Sequence, residues 1–503
     1  MTRRYLMQLL ASTTAFGGSG VSLIDIRNQG ARGDGKTNDA AAIQKAIDAC
    51  TGAGGGVVYF PPGTYVSGTL FLKNHVTLHL SPGATLRASR NLADYEPRHL
   101  IYARDASQIA IEGGGMIDGQ GDMSWDANFR RRTERLGPLI ELVGCRDVRI
   151  QEVHIRNSPR WTIHPKNCDR VWIRAISIIT DLRGPNTDGI DPDSSRNVLI
   201  SDCYIETGDD CIVLKTTKDL PWIAGGYGEP VQPCENVTVT NCTLITTASA
   251  LKLGTESFAG IRHCVFSNCV IGDSSTGITL FAKDGGTFED VSFSNISVQT
   301  RPETGARISW PIAIDLEKRW KDSAVGAIRD VSFSDIEITT SGRVLVAGMP
   351  ERPLENISFR NIRMRVSGFE PVERAGKPRG GTAQPASREA DYGPVPSAMI
   401  FANIRDLDIR DVRVCWDAAV PPQERHAVYA ARIDGLRIDG FTGRHASPAG
   451  NLATISLNDS RNVFIARSRA EQGTNVFLHL EGTAADEVML AANDLRLARR
   501  QMQ

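Results

Sequence analysis

"RNVLISDCYIET", Arg196 to Thr207, alternates apolar and polar residues and then breaks step at Asp202. The pattern returns in "ENVTVTNCTLIT" from Glu235, "EDVSFSNISVQT" from Glu289, "RDVSFSDIEITT" from Arg329 and "ENISFRNIRMRV" from Glu355. A period of two marks strands with one buried face. The polar residue that interrupts it recurs at Asp202, Asn241, Asn268, Asn295, Asp335 and Asn361, at intervals of 39, 27, 27, 40 and 26 residues. A base period of about 26 with occasional insertions describes a coil of short strands, each turn stacked on the last. The recurrent Asn or Asp marks a bend, where its side chain bonds the backbone. The expected fold is all-β, a single-stranded right-handed parallel β-helix. A propeller fits less well, because four-stranded blades need a longer and more regular repeat.

The flanks agree with that fold. "NDAAAIQKAIDAC" offers Asn38 or Asp39 as an N-cap, then Ala42, Ile43, Ala46, Ile47 and Cys50 at helical spacing, and glycines stop it. One amphipathic helix there would cover the open N-terminal coil, whose apolar layers and strand edges would otherwise lie bare. Short strands then continue to about residue 490, giving a single β-helix domain over 22–490 and a tail over 491–503. "RAGKPRGGTAQPASREADYGP", residues 374–394, is rich in Gly, Pro and charge and reads as a loop insertion.

The chain has 503 residues and a formal net charge of −1, so it lacks the basic excess that nucleic-acid binding requires. No stretch approaches the ~18 apolar residues of a membrane-spanning helix. Residues 1–20 begin "MTRRYLMQLLASTTAFGG", with Arg3 and Arg4 ahead of a short apolar segment. They resemble a twin-arginine export signal or form a frayed tail. Periplasmic or secreted placement follows from the first reading and a cytoplasmic one from the second. Ten cysteines fall mostly in strand-like runs without zinc spacing, and read as small buried hydrophobes, with one or two disulfides open to an exported protein. No metal and no cofactor is called for, and a monomer is expected.

The segment from Gly184 to Lys215 gathers six aspartates. Asp188 and Asp209 stand 21 residues apart, close to one uninterrupted coil, and Asp210 follows directly. Adjacent strands lie roughly 5 Å apart, so all three carboxylates would share one small surface. Like charges that close raise at least one pKa, which supplies a proton donor beside a base. That is the chemistry of glycoside hydrolysis. Asp191 and Asp193 in "GIDPDSS" read instead as structural turn residues. Trp161 and His164 lie about one coil before Asp188, either lining the same cleft or packed in the core. Glu256 in "GTES" lies one rung later and is placed to bind a hydroxyl.

"NTDG" at Asn186 to Gly189 and "GDD" at Gly208 to Asp210 resemble two active-site motifs of glycoside hydrolase family 28, the polygalacturonase family. "IRNSPRWTIHP" from Ile155 and "DIRNQGARGDGKTNDAAAIQKAID" from Asp25 are also similar, and the likeness runs through about residues 22 to 365. The resemblance implies an inverting glycosidase acting on pectin-type polysaccharide or oligosaccharide. Asp209 would protonate the leaving oxygen, Asp188 and Asp210 would activate water, and Asn186 would orient a carboxylate or a hydroxyl. The insertion between Lys215 and Cys234 is similar to that of exo-acting members. Two motifs depart from the family. Ser249 stands where its Gly-His-Gly histidine would be, and Thr279, Leu280 and Phe281 replace its Arg-Ile-Lys, which looks like the clamp on a galacturonate carboxylate. Lys215, Lys252 and Lys283 either replace part of that clamp or are solvated at strand ends. The competing functions are a β-helix polysaccharide lyase, which would use calcium, and a non-catalytic glycan-binding β-helix.

Overall fold

The computed structural model describes residues 22–218, 231–301, 309–368, 391–392, 394–417, 425–446 and 452–503. The segment read as an export signal, most of the 374–394 insertion, and residues 219–230 of the insertion after Lys215 lie outside the described residues.

Each turn of the chain lays one strand on each of three faces. In the turn that carries "GDD" these are Arg196–Ser201, Tyr204–Thr207 and Ile212–Thr216. They pair in parallel with Cys234–Thr240, Thr243–Thr246 and Ser249–Ser257 of the next turn. Further on, the first two strands fuse into Thr287–Thr300 and Ala327–Thr340. The result is a right-handed parallel β-helix.

All six recurrent Asn and Asp residues sit at the bend with φ between 51° and 59°. Their short polar side chains tolerate this left-handed conformation better than other non-glycine residues. Their side chains, expected to bond the backbone, largely bond one another instead. Asn241 Nδ2 donates to Asp202 Oδ1 at 3.2 Å, Asn295 Nδ2 to Asn268 Oδ1 at 2.8 Å, and Asn361 Nδ2 to Asp335 Oδ1 at 2.7 Å. In-register stacking explains this, since equivalent positions lie about 4.8 Å apart, within reach of an amide.

Inward-facing positions stack by kind. Phe266, Phe293, Phe333 and Phe359 form a column with centroids 4.7, 5.1 and 4.7 Å apart and nearly parallel rings. Such a column contributes area burial and offset stacking together. Helix α1, Ala40–Gly52, buries Ile43, Ala46, Ile47 and Cys50 against the first coil. Asn38 Oδ1 accepts the Ala40 N–H at 3.0 Å, while Asp39 accepts from Arg32 and Gly33 N–H instead. All ten cysteines carry free thiols, nine of them buried. Among the described residues no helix is long and apolar enough to cross a membrane.

The tail expected over 491–503 is part of the coil. Ala498–Met502 pairs in parallel with Thr474–Glu481. Its residues are mostly exposed, so it shows no alternation for a sequence reading to find.

Candidate active site

The site lies on the third face, where Ile163–Lys166, Ile190 with Asp193, Ile212–Thr216 and Ser249–Ser257 follow one another. "NTDG" and "GDD" are the turns that lead into the second and third of these. Ile190 pairs with Ile212, and Gly189 N–H donates to Asp210 O at 2.9 Å, so the register sets Asp188 opposite Asp210. Two glycines permit this close stacking. A Cβ on Gly189 would meet Cys211 O at 2.4 Å, and one on Gly208 would meet Asp181 O and Gly184 O at 2.5 Å.

One carboxylate oxygen from each of Asp188, Asp209 and Asp210 lies within 4.8 Å of the other two. Asp188 and Asp210 are buried, and Asp209 is half-buried. Asp209 is held by two backbone amides, Asn186 N–H at 3.1 Å and Asp210 N–H at 3.1 Å. Asp210 accepts from Lys252 Nζ at 2.7 Å and from Ser249 N–H at 3.1 Å, through different oxygens. Asp188 Oδ2 accepts from Lys215 Nζ at 3.3 Å, while its Oδ1 is buried without a hydrogen-bond partner among the described residues. Lys215 also pairs with Asp191 Oδ1 at 2.7 Å and sits 3.4 Å above the Trp161 ring. Four carboxylates thus crowd around two ammonium groups. Burial pushes the Asp188 carboxyl well up even with Lys215 beside it, and burial pushes Asp191 up to about 6. Burial works against the two ammoniums, but Asp191 and Asp188 hold Lys215, and Asp210 holds Lys252, firmly protonated. A cluster with more acid than base, titrating as a unit, keeps a proton to donate next to ionised carboxylates.

Several residues expected to face substrate do not. His164 is fully buried, with Nδ1 2.8 Å from Glu141 Oε2 and Nε2 3.3 Å from Asp193 Oδ2. Asp193 also accepts from Lys166 Nζ and Thr217 N–H, both at 2.9 Å. The cause is register: Lys166, Asp193 and Lys215 stack on consecutive rungs, alternating in sign, as do Glu141 and His164. Trp161 is buried beneath Lys215. Lys215 and Lys283 are buried rather than free for a substrate carboxylate. Lys283 pairs with Asp315 at 3.3 Å and with Glu317, away from the trio. Glu256 pairs with Arg319 at 3.2 Å. Asn186 and Lys252 touch the trio directly.

Three arginines escaped the sequence reading. Arg131 Nη1 and Arg135 Nη2 both donate to Asn186 Oδ1, at 3.0 and 3.1 Å, and Arg135 Nη1 reaches Pro185 O at 3.4 Å. Arg160, half-buried, feels the charges of Arg135 and Asp188. The first two come from the connection between Met116–Asp118 and Ile140–Val143. The signal available was the run "RRRTER" from Arg130 to Arg135, in a stretch without apolar alternation.

Residues 58–375 match the family model described as glycosyl hydrolases family 28. The chain is 28% identical to a probable polygalacturonase of Vitis vinifera over 78% of its own length and 85% of that protein. It is also 28% identical to an exo-poly-alpha-D-galacturonosidase of Dickeya chrysanthemi, over 51% of each. Its fold is similar to the crystal structure of an exopolygalacturonase from Thermotoga maritima, with a TM-score of 0.63 and 22% identity over 82% of this chain and 96% of that one. A polygalacturonase from Erwinia carotovora ssp. carotovora gives a TM-score of 0.56 at 21% identity, over 70% and 96%. The matched segment covers more than half of the chain and contains the whole aspartate trio, and the chain belongs to glycosyl hydrolases family 28 and is a glycosidase.

Proposed function

We propose that the chain hydrolyses a uronate-bearing, pectin-type polysaccharide or oligosaccharide from a chain end, with inversion at the anomeric carbon. The observation that carries this reading is the convergence of Asp188, Asp209 and Asp210 within 4.8 Å. Asp209, more exposed than its neighbours, passes the cluster's proton to the glycosidic oxygen as the bond to the anomeric carbon breaks. A water held by Asp188 and Asp210 forms the new bond and yields its proton to them. Asp188 Oδ1, buried and unbonded, supplies the acceptor that such a water needs. Chain-end action is supported by the similarity to the Dickeya chrysanthemi exo-poly-alpha-D-galacturonosidase. Export is supported by Arg3 and Arg4 ahead of the short apolar segment.

One observation favours retention instead. One oxygen of each carboxylate lies within 4.8 Å of the others, nearer than the about 6.5–9.5 Å that usually separates the two carboxyl groups of an inverting pair. A screen of homogalacturonan, rhamnogalacturonan and neutral glycans, with the first-formed anomer followed by NMR, decides both points. Inverted product from a uronate polymer, released one unit at a time, is the expected result. Retained configuration overturns the mechanism, and turnover confined to neutral glycans overturns the substrate class.

A further inference from the structure

We propose that Asp191 is a positioning residue for Asp188: by taking the short contact with Lys215, it holds that ammonium back and leaves Asp188 able to accept a proton from water. This deepens the proposed function and rests on its assignment of Asp188 as a base. One buried ammonium has three neighbours at graded distances. Lys215 Nζ stands 2.7 Å from Asp191 Oδ1, 3.3 Å from Asp188 Oδ2 and 3.4 Å above the Trp161 ring. None of these four residues is more than 7% exposed. The backbone sets the arrangement. Asp191 N–H donates to Ile163 O and Lys215 N–H donates to Pro192 O, both at 2.9 Å, so the next coil brings Lys215 alongside Asp191. The Trp161 ring closes another side of the socket, with a face that attracts a cation.

The unequal distances decide the chemistry. Without an ammonium nearby, a carboxylate as buried as Asp188 stays protonated and is no base. With the ammonium pressed against it, the same carboxylate holds a proton too weakly to take one from water. Asp191 stands between these limits by competing for the cation, and its own charge opposes ionisation of Asp188 directly. Lys215 contacts only Asp188 Oδ2, so Oδ1 remains the acceptor. Asp193, two residues on, pairs with Lys166 at 2.9 Å instead. The other charges in range are Asp209, Asp210, Arg135 and Arg160 around Asp188, His164 beside Asp191, and Glu256 and Lys252 beside Lys215. All of them stay in place in the variants that follow.

The test uses full-length protein, isotope-labelled at the aspartate Cγ and titrated by carbon NMR, with the Asp188 signal identified by its absence from Asp188→Asn. Asp191→Asn should lower the Asp188 midpoint by about one pH unit, a tenfold weaker hold on the proton. Lys215→Met should raise the midpoint. The double variant Asp191→Asn/Lys215→Met strands neither partner of the pair, and its midpoint should fall between those of the unmutated protein and Lys215→Met. That comparison decides the matter if Asp191→Asn does not fold. A midpoint unmoved or raised in Asp191→Asn, or a double variant level with Lys215→Met, would overturn the inference. The parent reading is judged separately: reducing-end release retained by Asp188→Asn would remove Asp188 from the chemistry and leave the NMR shifts as they are.

Discussion

Lys252 Nζ lies 2.7 Å from Asp210 Oδ2, three residues beyond Ser249 in the same strand. The Ser249 backbone amide occupies the other oxygen of the same carboxylate, so Asp210 is fixed at both ends. The ammonium keeps its charge because Asp210 outweighs the cost of burial.

Replacing Lys252 by Met should therefore strand a buried carboxylate. Breaking a buried pair from one side costs about 3–5 kcal/mol. Lys252→Met is expected to cut kcat at least tenfold and to move the acid limb of the kcat/KM profile to higher pH. Lys252→Arg should restore the limb in part. An unmoved limb would show that Lys252 only fills space.

Asp209→Asn keeps the shape of the side chain and an acceptor for one of the two backbone amides, those of Asn186 and Asp210, that Asp209 engages through separate oxygens. It removes the proton donor. Loss of a general acid costs about 10²–10⁴ in rate. The variant should lose turnover by that amount while its thermal midpoint stays within a few degrees of the unmutated protein. Normal turnover would remove Asp209 from the chemistry.

The strands and bends were legible because both are local. Alternation in "EDVSFSNISVQT" and the left-handed position of Asn295 need only their own neighbours in the chain. The trio was legible because "NTDG" and "GDD" sit next to turns one short coil apart. What pairs with the trio was not. The stacking of Lys166 on Asp193 and of Asp193 on Lys215 depends on where coils of unequal length come back into register. Arg131 and Arg135 lie in a connection with no period at all, so nothing in the sequence aims them at Asn186.

His164 gives the fold a pH dependence of definite sign. Burial disfavours its charged ring, but Glu141 and Asp193 outweigh that and lift its pKa to about 9, against about 6.5 unfolded. A group whose folded pKa is raised contributes fully below the unfolded value and loses the contribution as pH climbs through the folded one. Stability should therefore fall between about pH 6.5 and pH 9, by an amount on the order of 3 kcal/mol for this group. Asp193, drawn down by Lys166 and His164 against the effect of burial, acts at the other end and loses its contribution as the solution turns strongly acid. Urea unfolding at pH 6 and pH 9.5 measures the alkaline loss. His164→Gln should be less stable at pH 6 and nearly flat across that interval, and an equal slope in both proteins would place the titration elsewhere.

The aspartate trio has the spacing of a cation site, and a calcium-dependent lyase would use it as one. The surrounding charge argues for a proton instead. Lys215 stands 3.3 Å from Asp188 and Lys252 stands 2.7 Å from Asp210, so two ammonium groups already neutralise the oxygens a divalent ion would need. Adding a +2 charge between them brings repulsion that burial strengthens. Turnover should thus be unchanged after dialysis against a chelator, and products should show none of the ultraviolet absorbance of an unsaturated uronate. Loss of activity on chelation, restored by calcium together with that absorbance, would replace proton transfer to a leaving oxygen by elimination. The lysines would then have to leave the carboxylates when the ion binds, which Lys252→Met would make easier. Under the lyase reading that substitution raises calcium affinity and activity, whereas under hydrolysis it lowers activity, so the same variant separates the two chemistries.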